Sequence, residues 1–196
     1  AVPGRDVSSR RPAALLRRAL SAIRRRMQQS REYDAIVVGG GPAGYVCAIR
    51  LAQLGQRVAC VEAAEVGGVC LNWGCIPSKS LIHTAHLYRQ ARQAEARGLR
   101  FDGVTVDPDR MQEHKDGIVR RLTAGGRQLL RHNGAELIAG EGRIVEPRTV
   151  EVVAADGAQQ RLTASRAVVV ATGSSTIEVP EFAFDGERII GARQAV

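Results

Sequence analysis

The chain has 196 residues, 44% of them hydrophobic and 24% charged, and a formal net charge of +8. That size and composition allow a buried core and argue against wholesale disorder, and no apolar run is long enough to span a bilayer. The charge is local: residues 1–31 hold nine arginines against the single acid Asp6, so the rest sums to zero and gives no nucleic-acid signal.

Within this basic arm, Leu16, Leu20, Ile23 and Met27 recur at helical spacing. An Arg-rich, acid-poor segment fits an organelle presequence or a helix lying on an acidic membrane surface. The plainer reading is a disordered extension ahead of a start at Met27. The body opens with a short apolar strand, 33–38, suited to burial on both faces. A turn follows, Gly39-Gly40-Gly41-Pro42-Ala43-Gly44, then an apolar-periodic helix over 42–54 with Gly55 as its left-handed stop. A second strand, 57–62, ends in Glu62 and completes a βαβ unit.

Beyond the segment 67–79 a helix is expected over 78–96. Asp107 and Pro108 read as N-cap and first residue of another helix, running to Arg131 with Asn133-Gly134 as its end. Gly125-Gly126 marks a point where it could break. Short strands follow at 135–139, 143–145, 149–153 and 160–163, with a hairpin turn at Ala155-Asp156-Gly157. A buried strand over 167–171 leads into Thr172-Gly173. The whole reads as α/β, a parallel sheet with helices and a small antiparallel meander.

The glycine turn has the context of a dinucleotide site: it leaves a strand, opens a helix, and meets an acid at the next strand's end. Gly39 permits the tight turn, Gly41 a close backbone approach to a pyrophosphate, and Gly44 close packing of helix on strand. A diphosphate would sit on free amides at the helix start. Glu62 is placed to accept from ribose hydroxyls; otherwise it is an exposed loop acid. The turn alone does not separate FAD from NAD.

Of four cysteines, Cys47 falls in a helical pattern and Cys60 at a strand end, both as small buried thiols. Cys70 and Cys75 are a close pair able to cycle between dithiol and disulfide, a two-electron couple that needs a lowered thiol pKa and a nearby acceptor. Two other readings are inert core cysteines, or zinc held with His83 and His86 at spacings unusual for such sites. The spacing is not that of a secreted disulfide framework, and a reducing compartment fits.

The segments Gly39–Gly44, Gly67-Gly68-Val69-Cys70-Leu71-Asn72-Trp73-Gly74-Cys75-Ile76-Pro77-Ser78-Lys79 and Ala171-Thr172-Gly173 resemble the FAD-dependent pyridine-nucleotide disulfide oxidoreductases, and within them the dihydrolipoamide dehydrogenase branch. The resemblance covers residues from Tyr33 to the end. It implies a Rossmann-like FAD domain over 32–180, preceded by the arm 1–31 and followed by a connection, 181–196, to an NAD-binding domain. Gly39, Gly41, Pro42, Ala43 and Gly44 would hold the FAD diphosphate, Glu62 the ribose and Gly142 the adenine. Gly68, Thr172 and Gly173 would lie beside the cofactor. Lys79 would approach the flavin, Cys75 would be the flavin-proximal sulfur, and Cys70 the sulfur that exchanges with lipoamide.

Expected partners are dihydrolipoamide on a lipoyl domain, NAD⁺, a second copy of the full-length chain and a 2-oxoacid dehydrogenase complex, with no nucleic acid and no metal. The expected location is cytoplasmic, or the mitochondrial matrix if the arm is a presequence. The family's NAD and dimerisation domains fall beyond Val196, so this portion alone is expected to lack NAD-linked turnover. A glutathione- or mercuric-reductase-like enzyme is the next reading, and a binder acting through the basic arm the last.

Overall fold

The structure, a computed structural model, describes residues 31–196; the readings given for residues 1–30 lie outside them. Arg31, counted above with the arm, is the first residue of strand β1 (Arg31–Val38). Helix α1 (Pro42–Gln53), strand β2 (Val58–Glu62), helix α2 (Gly68–Asn72) and helix α3 (Cys75–Gln93) follow. A 3-10 turn, Ala94–Arg97, extends α3 before the long helix α4 (Pro108–His132). The chain then forms β3 (Glu136–Ala139), β4 (Glu141–Glu146), β5 (Thr149–Val153) and β6 (Gln159–Val170), and ends with the short helix α5 (Ala192–Ala195).

The strands form one sheet in the order β3-β2-β1-β6-β5-β4. The first four are mutually parallel, while β6, β5 and β4 form an antiparallel meander. Side chains alternate across the parallel strands. Ile36, Val38, Ala59 and Val61 pack with Val150, Val152, Leu162 and Ala164 of the meander. Val37, Val58 and Cys60 face the other way, onto Ala48 of α1 and Leu130 of α4. Both faces are covered, which is why β1 and β2 read as unbroken apolar runs. The meander crosses one face closely: a side chain on Gly142 of β4 would lie 3.1 Å from methyls of both Val38 and Val61.

The structure differs from the sequence reading at several places. The two strands expected at 160–163 and 167–171 are one strand, β6. The polar residues between them form an irregularity where Tyr33 and Ala35 pair with Ala164 and Ala167. Asp34 pins it, accepting from the Ser165 hydroxyl at 3.2 Å and the Arg57 amide at 2.8 Å; a bulge bends a strand without ending it.

Helix α3 starts at Cys75 rather than 78, because Pro77 in the first turn lacks only an N–H that would have no helical partner. Helix α4 runs through Gly125-Gly126 unbroken, and the missing side chain of Gly126 lets it approach Val66, whose methyl would be 3.2 Å from a Cβ there. The Asp107 cap forms as expected, accepting from the Arg110 amide at 3.1 Å. Among the described residues no helix is long and apolar enough to cross a membrane.

Candidate active site

The glycine turn, Glu62, the cysteine segment and residues 171–173 converge at the carboxyl ends of the parallel strands. Gly39 leaves β1 with φ +106° and donates to the Val61 carbonyl at 2.8 Å; a side chain there would collide with the Ala171 carbonyl. A side chain on Gly44 would collide with the Gly39 carbonyl. These two glycines are required by the packing of turn, helix and strand.

Gly41 has a different reason. It caps α1 in extended conformation with no side-chain cap, and the nearest atom to a Cβ there is Gly68 Cα at 4.0 Å. The first helical bond runs from the Tyr45 amide to the Gly41 carbonyl at 2.9 Å. Pro42 has no amide hydrogen, and those of Ala43 and Gly44 have no intrahelical partner. No acid stands in this first turn, so its partial positive charge is open to an anion.

Glu62 is not a free loop acid. One carboxylate oxygen accepts from the Gly40 amide at 2.5 Å and the other from the Ala64 amide at 2.8 Å. The half-buried carboxylate is therefore locked beside the turn, with lone pairs to spare. Thr172 and Gly173 follow β6 on the exposed side, and Gly173, at φ +73°, has open space around a would-be Cβ. Gly142 lies under the same edge, against Val38 and Val61.

The cysteine segment is tied to the glycine turn by the Gly67 amide, which donates to the Gly40 carbonyl at 2.8 Å. Gly68, at φ +52°, presses on Gly41: a Cβ would lie 3.0 Å from Gly41 Cα. Cys70 sits on α2, which the sequence reading did not anticipate, and Cys75 opens α3. Between them Gly74 is needed for close approach, since a Cβ would be 2.8 Å from the Val69 carbonyl.

Cys70, on α2, and Cys75, at the start of α3, are close enough for the Cys75 side chain to act on the Cys70 thiol. That neighbour holds the Cys70 pKa above its ordinary value; desolvation adds to the rise, while Lys79 and the Cys75 backbone amide pull the other way. A lowered thiol pKa was expected of the pair; for Cys70 the direction is upward, because the neighbouring sulfur and burial favour the neutral thiol. Cys75 and Lys79 are exposed and Cys70 half-buried. Cys60 is the buried thiol anticipated, pushed up to about 12, mainly by burial, whereas Cys47 on α1 is only half-buried. Among the described residues no cluster of His, Cys, Asp and Glu is placed to hold a metal ion, so the zinc set is not assembled.

Sequence reasoning missed the residues that hold this segment. The Asn72 amide nitrogen donates to the Val66 carbonyl at 3.2 Å and the Gly68 carbonyl at 2.9 Å, and its oxygen accepts from the Thr123 hydroxyl of α4 at 3.1 Å. An ion pair between Glu65, in the loop before α2, and Arg127 ties that loop to α4. A lone Asn between cysteines and a Thr about fifty residues away on another helix share no spacing signal. Beside the segment lies a crevice of about 550 Å³, bounded by Val69, Trp73 and Ser174 and closed by the C-terminal residues, where the Arg193 guanidinium stacks 4.7 Å from the Trp73 ring centroid.

Comparison with known proteins shows the family to which the chain belongs. The family described as pyridine nucleotide-disulphide oxidoreductase matches residues 33–195. The chain is 46% identical over 165 residues to a dihydrolipoyl dehydrogenase of Geobacillus stearothermophilus, covering 84% of this chain and 34% of that protein. A mitochondrial dihydrolipoyl dehydrogenase of Schizosaccharomyces pombe is 40% identical over 167 residues, covering 84% and 33%. The fold is similar to the crystal structure of LpdA from Mycobacterium tuberculosis, with TM-score 0.72 and 28% identity over 82% of this chain and 36% of that one. The chain thus spans about a third of the length of the curated relatives it matches. On these grounds the chain belongs to the pyridine nucleotide-disulphide oxidoreductase family.

Proposed function

We propose that this chain is the FAD-binding, redox-dithiol portion of a dihydrolipoyl dehydrogenase, which oxidises dihydrolipoamide and passes the electrons through FAD to NAD⁺. The observation that carries this reading is the neighbouring Cys70 and Cys75, on a segment bonded through Gly67 to an open, uncapped glycine turn. The residues fit FAD: Gly41 leaves its side of the turn clear, and the Ala43 and Gly44 amides behind Pro42 offer donors to a diphosphate. In this reading Gly39 shapes the turn, Glu62 accepts from ribose hydroxyls, Gly142 backs the adenine, and Gly68, Thr172 and Gly173 lie along the cofactor. FAD, when bound, supplies the two-electron acceptor.

The chain's own part is thiol–disulfide exchange. A substrate thiolate attacks Cys70 of the Cys70–Cys75 disulfide, forming a mixed disulfide and expelling Cys75 as thiolate. The second substrate thiol, losing its proton, displaces Cys70, which leaves one lipoamide disulfide and two reduced protein sulfurs. The short link between α2 and α3 keeps the leaving group near Cys70, and Lys79 stabilises negative charge near the pair. The FAD domain would span 32–180, with 181–196 leading onward, and the whole enzyme would act as a homodimer on lipoyl domains of a 2-oxoacid dehydrogenase complex. A reducing, cytoplasm-like setting suits a disulfide that must be reopened in every cycle.

Fluorescence titration tests the cofactor assignment. FAD added to the refolded chain should bind with quenched emission, and Gly41→Asp, which places a carboxylate at the open helix start, should weaken binding by at least about tenfold with the fold unchanged by circular dichroism. A folded chain that binds no FAD, or a Gly41→Asp variant that binds it as well as the unsubstituted chain, contradicts the reading.

A further inference from the structure

The geometry points to Thr123 as a positioning residue for the thiol pair: through Asn72, its hydroxyl fixes the segment that keeps Cys70 facing Cys75. The inference rests on the redox role proposed above. Thr123 lies midway along α4 and is only 8% exposed. A mid-helix threonine commonly turns its hydroxyl back to a carbonyl of its own helix; this one instead donates across to Asn72 Oδ1 at 3.1 Å.

That bond decides which way the Asn72 amide stands. With a donor at its oxygen, the nitrogen must face Val66 O and Gly68 O, and it donates to both. Those two carbonyls bracket the entry to α2, and Asn72 itself closes that helix between the two cysteines. One hydroxyl on a distant helix thus clamps both ends of the short element carrying Cys70. Gly126, one turn further along α4, presses on Val66 from the same side, so the contact surface is continuous.

Without the hydroxyl, Asn72 Oδ1 loses its buried donor and the amide is free to turn. The two sulfurs then meet less often, and the effective concentration of one thiol at the other falls. The affected equilibrium is protein disulfide plus two glutathione thiols giving protein dithiol plus glutathione disulfide. One S–S bond breaks as another forms, and two protons pass to the protein sulfurs. A loosened pair shifts this equilibrium toward the dithiol.

The test uses Thr123→Val, which keeps the shape, and Thr123→Ser, which keeps the hydroxyl. In glutathione redox buffers, Thr123→Val should favour the Cys70–Cys75 dithiol by about tenfold over the unsubstituted chain, with Thr123→Ser close to the latter. Equal equilibria for all three, or Thr123→Ser matching Thr123→Val, would overturn the inference. Nuclear magnetic resonance of the unsubstituted chain gives a readout independent of folding in the variants. The Asn72 side-chain amide protons should exchange with solvent at least about tenfold more slowly than those of exposed Gln159, and equal exchange contradicts the clamp. If the unsubstituted chain never forms the Cys70–Cys75 disulfide, the redox reading fails, whether or not Asn72 is protected.

Discussion

Cys70 stands between opposed influences, the Cys75 side chain and burial raising its pKa and Lys79 lowering it. Because the thiolate is the reactive form, removing either neighbour should change its reactivity in opposite senses. Under reducing conditions near pH 8, alkylation of Cys70, followed by peptide mass mapping, should speed up severalfold in Cys75→Ala and slow down in Lys79→Met. An unchanged rate in Cys75→Ala would mean that the two sulfurs are not in contact. The close spacing of the thiol pair marked both cysteines in the sequence, and the family resemblance marked Lys79. The sequence did not show the sign of the Cys70 shift, which depends on a contact between side chains. Nor did it show Asn72 and Thr123, which meet only because α4 packs against the cysteine segment.

At the scale of elements, glycines that look alike in the sequence have unlike roles. Gly44 is pressed against the Gly39 carbonyl, whereas Gly125 has nothing within 4 Å of a would-be Cβ and a helical conformation that alanine adopts more readily. Gly125→Ala should therefore stabilise the chain by about 0.5–1 kcal/mol, and Gly44→Ala should destabilise it by about 3 kcal/mol or prevent folding. Denaturant midpoints measure both; a destabilising Gly125→Ala would show that the Gly-Gly step serves α4 in some way that packing does not reveal. The same distinction explains the misreadings. Gly125-Gly126 looked like a break, but a long amphipathic helix with a cap at Asp107 tolerates two glycines when one of them seats Val66. Ser165 and Arg166 looked like a gap between strands, but Asp34 on the neighbouring strand supplies the polar partner that holds them as a bulge. Local pattern located β1, α1, β2 and the start of α4, where caps and apolar runs agree. It failed where the partner that decides the outcome lies far along the chain.

Over the whole molecule, the parallel strands bring three separated segments to one edge. The turn after β1, the acid ending β2 and the residues after β6 meet there, and the cysteine segment is bonded to that turn through Gly67 and Gly40. They meet because strand carboxyl ends in an open α/β sheet share one edge. The meander lying across the opposite face was less legible, since short strands in sequence do not announce whether they extend a sheet or cover it. The account depends on Cys70 and Cys75 being mutual redox partners beside the glycine turn. Mild oxidation of the folded chain, alkylation of remaining thiols after unfolding, and disulfide mapping by mass spectrometry test that directly. The prediction is a dominant Cys70–Cys75 link with Cys47 and Cys60 recovered as free thiols; Cys70 and Cys75 both recovered free, or each joined to a different sulfur, would contradict it.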